Sequence, residues 1–171
     1  MPPTPNLVVD ADLGCSASET SNASIAKLCA AILEEIRLMG YLVTVSNQGL
    51  EEWKDHCSRF GLRWLRALNA SRRLTILEHY ADPSLRKCVY HTTKSEAERK
   101  SVSHDMHLVE AAILAKYIII SNDKKARKLF KTAKDRCTIL RHIVWMCATV
   151  DSHQVLEWLV AGAAYGTGKS L

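Results

Sequence analysis

A chain of 171 residues with 47% hydrophobic and 24% charged residues is long enough to bury a sizeable core and too apolar to remain disordered. Lysine and arginine outnumber aspartate and glutamate by 23 to 18, a net charge of +5, which permits a polyanionic partner without demanding one. The absence of any run of about 18 apolar residues excludes a helical membrane span, and residues 1–6 lack the basic and apolar regions of an export signal, so a cytoplasmic protein is expected.

Leu7-Val8-Val9 is a short apolar run ending in Asp10-Ala11-Asp12, which reads as a buried strand delivering acids at its C-terminal end. Residues 14–20 are small and polar, as in a loop. Ser21 or Asn22 is placed to cap a helix whose apolar residues Ile25, Leu28, Cys29, Ile32 and Ile36 recur at helical spacing, with Gly40 to end it. Residues 41–45 read as a second strand. From about Gln48 a further helical stretch carries Trp53, Cys57, Phe60, Trp64 and Leu68 as one apolar stripe. Residues 54–73 hold six basic side chains against one acid. Residues 80–103 are polar and irregular and are expected to hold the least order. Helical pattern resumes at Asp105, and residues 117–120 form a third strand running into Ser121-Asn122-Asp123. Residues 124–141 hold eight basic side chains and one acid, residues 138–144 suit another short strand, and residues 154–160 a last short helix before a flexible glycine-rich tail.

Strands alternating with helices imply an α/β domain with a central parallel sheet flanked by helices. One domain is expected over residues 1–171, with its core over about 6–145. In such sheets ligands bind outside the carboxyl ends of the strands, where Asp10 and Asp123 both fall. Asp105 opens the helix leading into the Asp123 strand, and Glu51 and Glu52 open the helix after the second strand. Two unit charges about 4 Å apart repel by roughly 4 kcal/mol at an effective dielectric near 20, so converging acids require protons or a cation. Oxygen ligands suit Mg²⁺ or Mn²⁺ rather than zinc. A bland alternative makes Asp105 and Asp123 helix caps. For Asp10 a cap explains less, because a loop is expected to follow. The basic stretches, represented by Lys54, Arg59, Arg63, Lys124, Lys125, Arg127 and Lys128, are either solvated helix faces or a rim that holds backbone phosphates.

Taken together, Leu7-Val-Val-Asp10-Ala-Asp12, Ser46-Asn-Gln-Gly-Leu-Glu-Glu52-Trp, His104-Asp105-Met-His-Leu-Val-Glu-Ala-Ala112 and Tyr117-Ile-Ile-Ile-Ser121-Asn-Asp123 resemble the motifs of the PIN-domain nucleases, the family that includes VapC-type toxins. The Glu52-Trp53-Lys54-Asp55-His56 stretch resembles a prokaryotic subgroup of that family. The resemblance implies a three-layer PIN-like domain with Asp10, Asp105 and Asp123 as acidic metal ligands. It makes Glu52 the fourth catalytic acid, with Glu51 a close competitor, and sets Ser121 near the metal. Asp12 is an extra acid that either joins the site or faces solvent. The activity implied is Mg²⁺- or Mn²⁺-dependent internal hydrolysis of single-stranded RNA, with an antitoxin or other inhibitor protein and a homodimer as implied partners. DNA or structured RNA as substrate, and a catalytically silent PIN fold used for binding or regulation, are the alternatives.

Other features are set aside. The six cysteines are scattered singly, which disfavours a zinc site and predicts reduced thiols in the cytosol. The loose phosphate-loop pattern at residues 163–170 has no helix after it. His104 and His107 read as surface histidines, and His56, His79, His91, His142 and His153 show no pairing logic. The four tryptophans read as core. Glu110 lies on a different helix face from Asp105 and is left out of the site.

Overall fold

The computed structural model describes residues 4–78, 80–164 and 168–171. His79 and residues 165–167, the centre of the glycine-rich tail and of the phosphate-loop pattern, lie outside the described residues.

In chain order the elements are β1 (Asn6–Val9), α1 (Ala11–Ser16), α2 (Ser24–Leu38), β2 (Leu42–Ser46), α3 (Asn47–His56), α4 (Arg59–Ala70), β3 (Leu74–Leu77) and α5 (Pro83–Tyr90). There follow α6 (Glu96–Leu114), β4 (Ile118–Ser121), α7 (Lys124–Ala133), a 3₁₀ turn (Thr138–His142), β5 (Val144–Cys147), α8 (Ala148–Asp151) and α9 (His153–Val160). The strands form one parallel sheet in the order β3-β2-β1-β4-β5. The fold is thus α/β with helices on both faces, consistent with a three-layer PIN-like arrangement. No helix among the described residues is long and apolar enough to cross a membrane.

Strand alternation divides the core in two. Leu7, Val9, Val43, Val45, Ile118 and Ile120 point to one face, beneath α2, α4 and α9. Val8, Ile119 and Trp145 point to the other, beneath α5, α6 and α7. Each face is apolar, as a sheet covered on both sides requires. All four tryptophans are buried as expected, Trp53 stacked on Trp64 and Trp145 on Phe130.

Several expectations are corrected. Residues 11–16 are helix α1, not loop, so Asp10 does precede a helix; its side chain nevertheless makes no capping hydrogen bond. Helix α2 is entered from Ala23, without a side-chain cap from Ser21 or Asn22, whereas Gly40 (φ 76°) follows its end as expected. The apolar stripe from Trp53 to Leu68 is two helices. The chain breaks at Cys57, and Ser58 caps α4 by accepting from Gly61 N at 3.1 Å. The break lets Gly61 pack on the backbone of Gly14, bringing α1 against α4. The edge strand β3 is additional to the expected elements, and the strand expected at 138–144 is a 3₁₀ turn preceding β5.

The stretch 80–103 is ordered. Asp82 caps α5 by accepting from Ser84 N and Leu85 N, with Pro83 in the first turn. Ser95 caps α6 by accepting from Glu98 N. Helix α6 therefore starts nine residues before Asp105, which sits in its middle and caps nothing. The end of the tail is docked. Ser170 bridges Val144, Lys169 O accepts from Trp145 N, and Lys169 Nζ reaches the buried Asp151 at 2.6 Å. That lysine is committed to an ion pair, which agrees with setting the phosphate loop aside.

Cys88 and Cys137 are joined in a disulfide between α5 and the segment after α7, which overturns the expectation that all six thiols are reduced.

Gly14 is a point where size matters. A Cβ there would lie 2.1 Å from the Trp53 ring, and Trp53 is fully buried against Trp64. Gly14→Ala should cost about 1–3 kcal/mol through overpacking. Urea unfolding of the variant measures it, and an unchanged midpoint would mean that the indole moves freely.

Candidate active site at the carboxyl edge of the sheet

The strand order places its reversal between β1 and β4. From β1 the chain adds β2 and β3 on one side and then returns to place β4 on the other. The helices that leave the two strands splay apart at such a point, opening a crevice outside their carboxyl ends. Asp10 follows β1 there, and Ser121 closes β4. Strand alternation carries both toward α6, in phase with Val8 and Ile119.

The two are bonded directly. Ser121 Oγ donates to Asp10 Oδ2 at 2.8 Å and lies 3.2 Å from Asp12 Oδ2. The same Oγ accepts from Asp123 N at 2.9 Å. Asp12 Oδ2 also accepts from Asn122 N at 2.8 Å, whereas Asp12 Oδ1 is buried with no hydrogen-bond partner. Asp12 therefore joins the site. Asp123 caps α7, its Oδ1 accepting from Lys125 N and Ala126 N at 2.8 Å each, so the cap reading holds for this residue.

Of the two glutamates, Glu52 and not Glu51 faces the aspartates. Glu51 is exposed and pairs with Lys54 at 2.8 Å. Glu52 lies one residue on, toward α6, where its Oε1 accepts from Gln48 Nε2 at 3.1 Å. The same oxygen stands 3.6 Å from both His104 Nδ1 and His107 Nε2. His107 is a correction. It is buried, and its Nδ1 lies 2.7 Å from Ser46 Oγ, which itself accepts from Gly49 N at the start of α3. His107 Nε2 is buried without a hydrogen-bond partner and faces Glu52. Burial lowers the His107 pKa to about 4, so the ring is neutral. The sequence clue was His104-Asp105-x-His107, whose spacing sets both imidazoles on one side of α6.

The acids raise one another's proton affinity. Burial lifts Asp10 to about 6, opposed by the Ser121 bond and assisted by Glu52. Burial lifts Asp105 to about 7, assisted by Asp10 and Asp123. Asp12 is raised by burial and by Asp10. The five acids thus share one field, although no three His, Cys, Asp or Glu side chains among the described residues already stand as a metal-holding group. The donor set still fits a hard cation. It consists of carboxylates, it is desolvated, and one buried oxygen of Asp12 lacks a partner.

The basic residues divide. Arg127 is tied to buried Asp151 at 2.9 Å, Lys54 to Glu51, and Arg63 to Glu19 at 3.1 Å. Arg127 is therefore a structural cation rather than a free phosphate contact. Arg59, Lys124, Lys125 and Lys128 are exposed. Glu110, set aside on sequence grounds, is buried against Arg86 at 2.7 Å, away from the acids.

A pH dependence follows. In EDTA the folded protein keeps protons on Asp10 and Asp105 that the unfolded chain has released. Their stabilisation is complete below about pH 4 and is lost as pH rises through about 6 to 7, and the raised Asp12 acts in the same direction. His107 acts oppositely, withdrawing stability as pH falls from 6.5 toward 4. Above pH 6.5 only the carboxylates act. The thermal midpoint in EDTA should fall between pH 6.5 and 8, and Mg²⁺ should reduce the fall. A midpoint flat in pH for both wild type and Asp10→Asn/Asp105→Asn would show that the carboxylates are not held protonated.

No family model, curated protein or solved structure matches this chain.

Proposed function

We propose that the protein is a PIN-type nuclease, a Mg²⁺- or Mn²⁺-dependent enzyme hydrolysing phosphodiester bonds within RNA. The observation that carries this reading is the desolvated cluster of Asp10, Asp12 and Asp105 at the sheet's point of reversal, with Asp123 and Glu52 in the same field. A folded protein tolerates such mutual repulsion where a cation or a reacting proton relieves it.

Asp10, Asp105 and Asp123 would hold the metal, with Asp12 contributing its unpartnered oxygen. When bound, the ion supplies Lewis-acid polarisation of a phosphoryl oxygen and a lowered pKa for water. Ser121 fixes the Asp10 carboxylate through its 2.8 Å bond. Ser46 fixes the His107 ring, whose Nε2 faces the Glu52 carboxylate at 3.6 Å. The exposed lysines hold the backbone phosphates. On this reading the protein works in the cytoplasm as the toxin of a toxin–antitoxin pair, with an inhibitor protein and a homodimer as expected partners.

A catalytically silent PIN-fold module that binds or regulates is the second reading. It is favoured by one observation, that no three candidate ligands among the described residues already form a metal-holding group. Labelled single-stranded RNA and a matched DNA, each incubated with Mg²⁺, Mn²⁺ or EDTA, test the two. Metal-dependent cutting of RNA supports the nuclease. Cutting of DNA alone, or of structured RNA alone, moves the substrate class, and cutting of nothing by folded protein favours the silent module.

A further inference from the structure

Beside the acids lies a second cleft, of about 330 Å³, between α6, α7 and the turn joining α5 to α6. Val102 and Leu129 give it apolar walls, and Lys94, Lys125 and Lys128 line it. Helical geometry fixes its position. Val102 lies one turn before Asp105 on α6, about 5 Å along the axis, and Lys125 follows two residues after Asp123.

The charge in the cleft is unspent. Among the described residues Lys94, Lys125 and Lys128 form no ion pair, unlike Lys54, Arg63 and Arg127. One acid, Glu98, also lines it, its Oε2 accepting from Lys94 N at 2.7 Å at the entrance to α6, so its carboxylate charge faces the same cleft. The Thr92, Thr93 and Thr132 hydroxyls donate to backbone carbonyls. What the cleft offers an incoming group is therefore three ammonium cations against one carboxylate, a net charge of +2, above an apolar wall. Its volume is at the lower end of small-ligand sites, enough for one nucleotide.

We propose that this cleft seats a nucleotide flanking the bond to be cut, with its backbone phosphate among Lys94, Lys125 and Lys128 and its apolar face toward Val102 and Leu129. The proposal rests on the nuclease reading for what happens next to it, and names where the strand is held. Attraction at the cleft also offsets the repulsion that the acids exert on the neighbouring phosphate.

Equilibrium binding of a short single-stranded RNA in EDTA, followed across salt concentration, tests it without metal or turnover. Lys125→Gln/Lys128→Gln should weaken binding by about tenfold and reduce the log–log salt slope by about 1.4, two contacts at roughly 0.7 each. Lys27→Gln/Lys116→Gln removes the same charge from α2 and from the opposite edge of the sheet, and should leave affinity within about twofold. Equal losses in both pairs, or none in either, would overturn the cleft. So would a nucleoside 5′-monophosphate whose binding needs the cleft lysines while the RNA is indifferent to them, since that marks a site for free nucleotide. Lysine-dependent binding by a protein that cuts nothing leaves the cleft standing and removes the nuclease reading. Cutting by a protein whose affinity ignores these lysines does the reverse.

Discussion

Asp10→Asn should take cleavage to background while raising the thermal midpoint at pH 8. The two effects share one cause. Asp10 is 8% exposed, and its ionised form is disfavoured by burial and by Glu52. The amide has nearly the same shape and no charge to desolvate, so folding should gain roughly 1–3 kcal/mol at pH 8. It also loses the anionic oxygen that accepts from Ser121 and would hold the metal. Cleavage should fall at least about a hundredfold, since even the outer partners of metal ligands cost 10–100-fold when removed. Asp123→Asn should match the loss of cleavage without the gain in stability, because it caps α7 through Oδ1. Calorimetry and the RNA assay on the same preparations decide the matter. Undiminished cleavage by both variants would remove the metal-site assignment, and a lowered midpoint for Asp10→Asn would show that the carboxylate is stabilising as it stands.

Reducing the Cys88–Cys137 disulfide should lower stability by about 4 kcal/mol. The bond closes a loop with a sequence separation of 49 residues. For that length the chain-entropy account gives about 4 kcal/mol at 25 °C. The loop contains all of α6, so opening it frees in the unfolded chain the segment that carries Asp105 and His107. Urea unfolding with and without dithiothreitol, compared with Cys88→Ala/Cys137→Ala, reads the effect. The reduced protein and the double variant should share a midpoint well below that of the oxidised protein. Equal midpoints throughout would mean that the pair contributes no cross-link in solution.

Local patterning determined much of this protein. Leu7-Val-Val and Ile118-Ile-Ile are runs that only a sheet covered on both faces accommodates, and acids at their ends lie at the edge where α/β sheets bind ligands. The parallel α/β class, the strand ends carrying Asp10 and Ser121, and the buried tryptophans were all legible in that way. So were two helix starts inside the stretch expected to hold the least order. Asp82-Pro83 and Ser95-x-x-Glu98 are capping signals, and they order a stretch whose polarity alone suggested little structure.

The rest required the tertiary structure, because it depends on distance through space. Glu51 meets Lys54 on its own helix, and only the placement of α3 against α6 brings the adjacent Glu52 to His107. His107 reads as a surface residue until Ser46, at the end of β2, arrives against its Nδ1. Arg127 is one more cation in a basic run until α8 and the tail bring Asp151 to it. Cys88 and Cys137 are scattered thiols until α5 packs beside the turn after α7. Periodicity reports which side of an element is apolar. It does not report which side chain from a distant element meets it, and in this protein those meetings decide which charges are spent within the fold and which remain for a ligand.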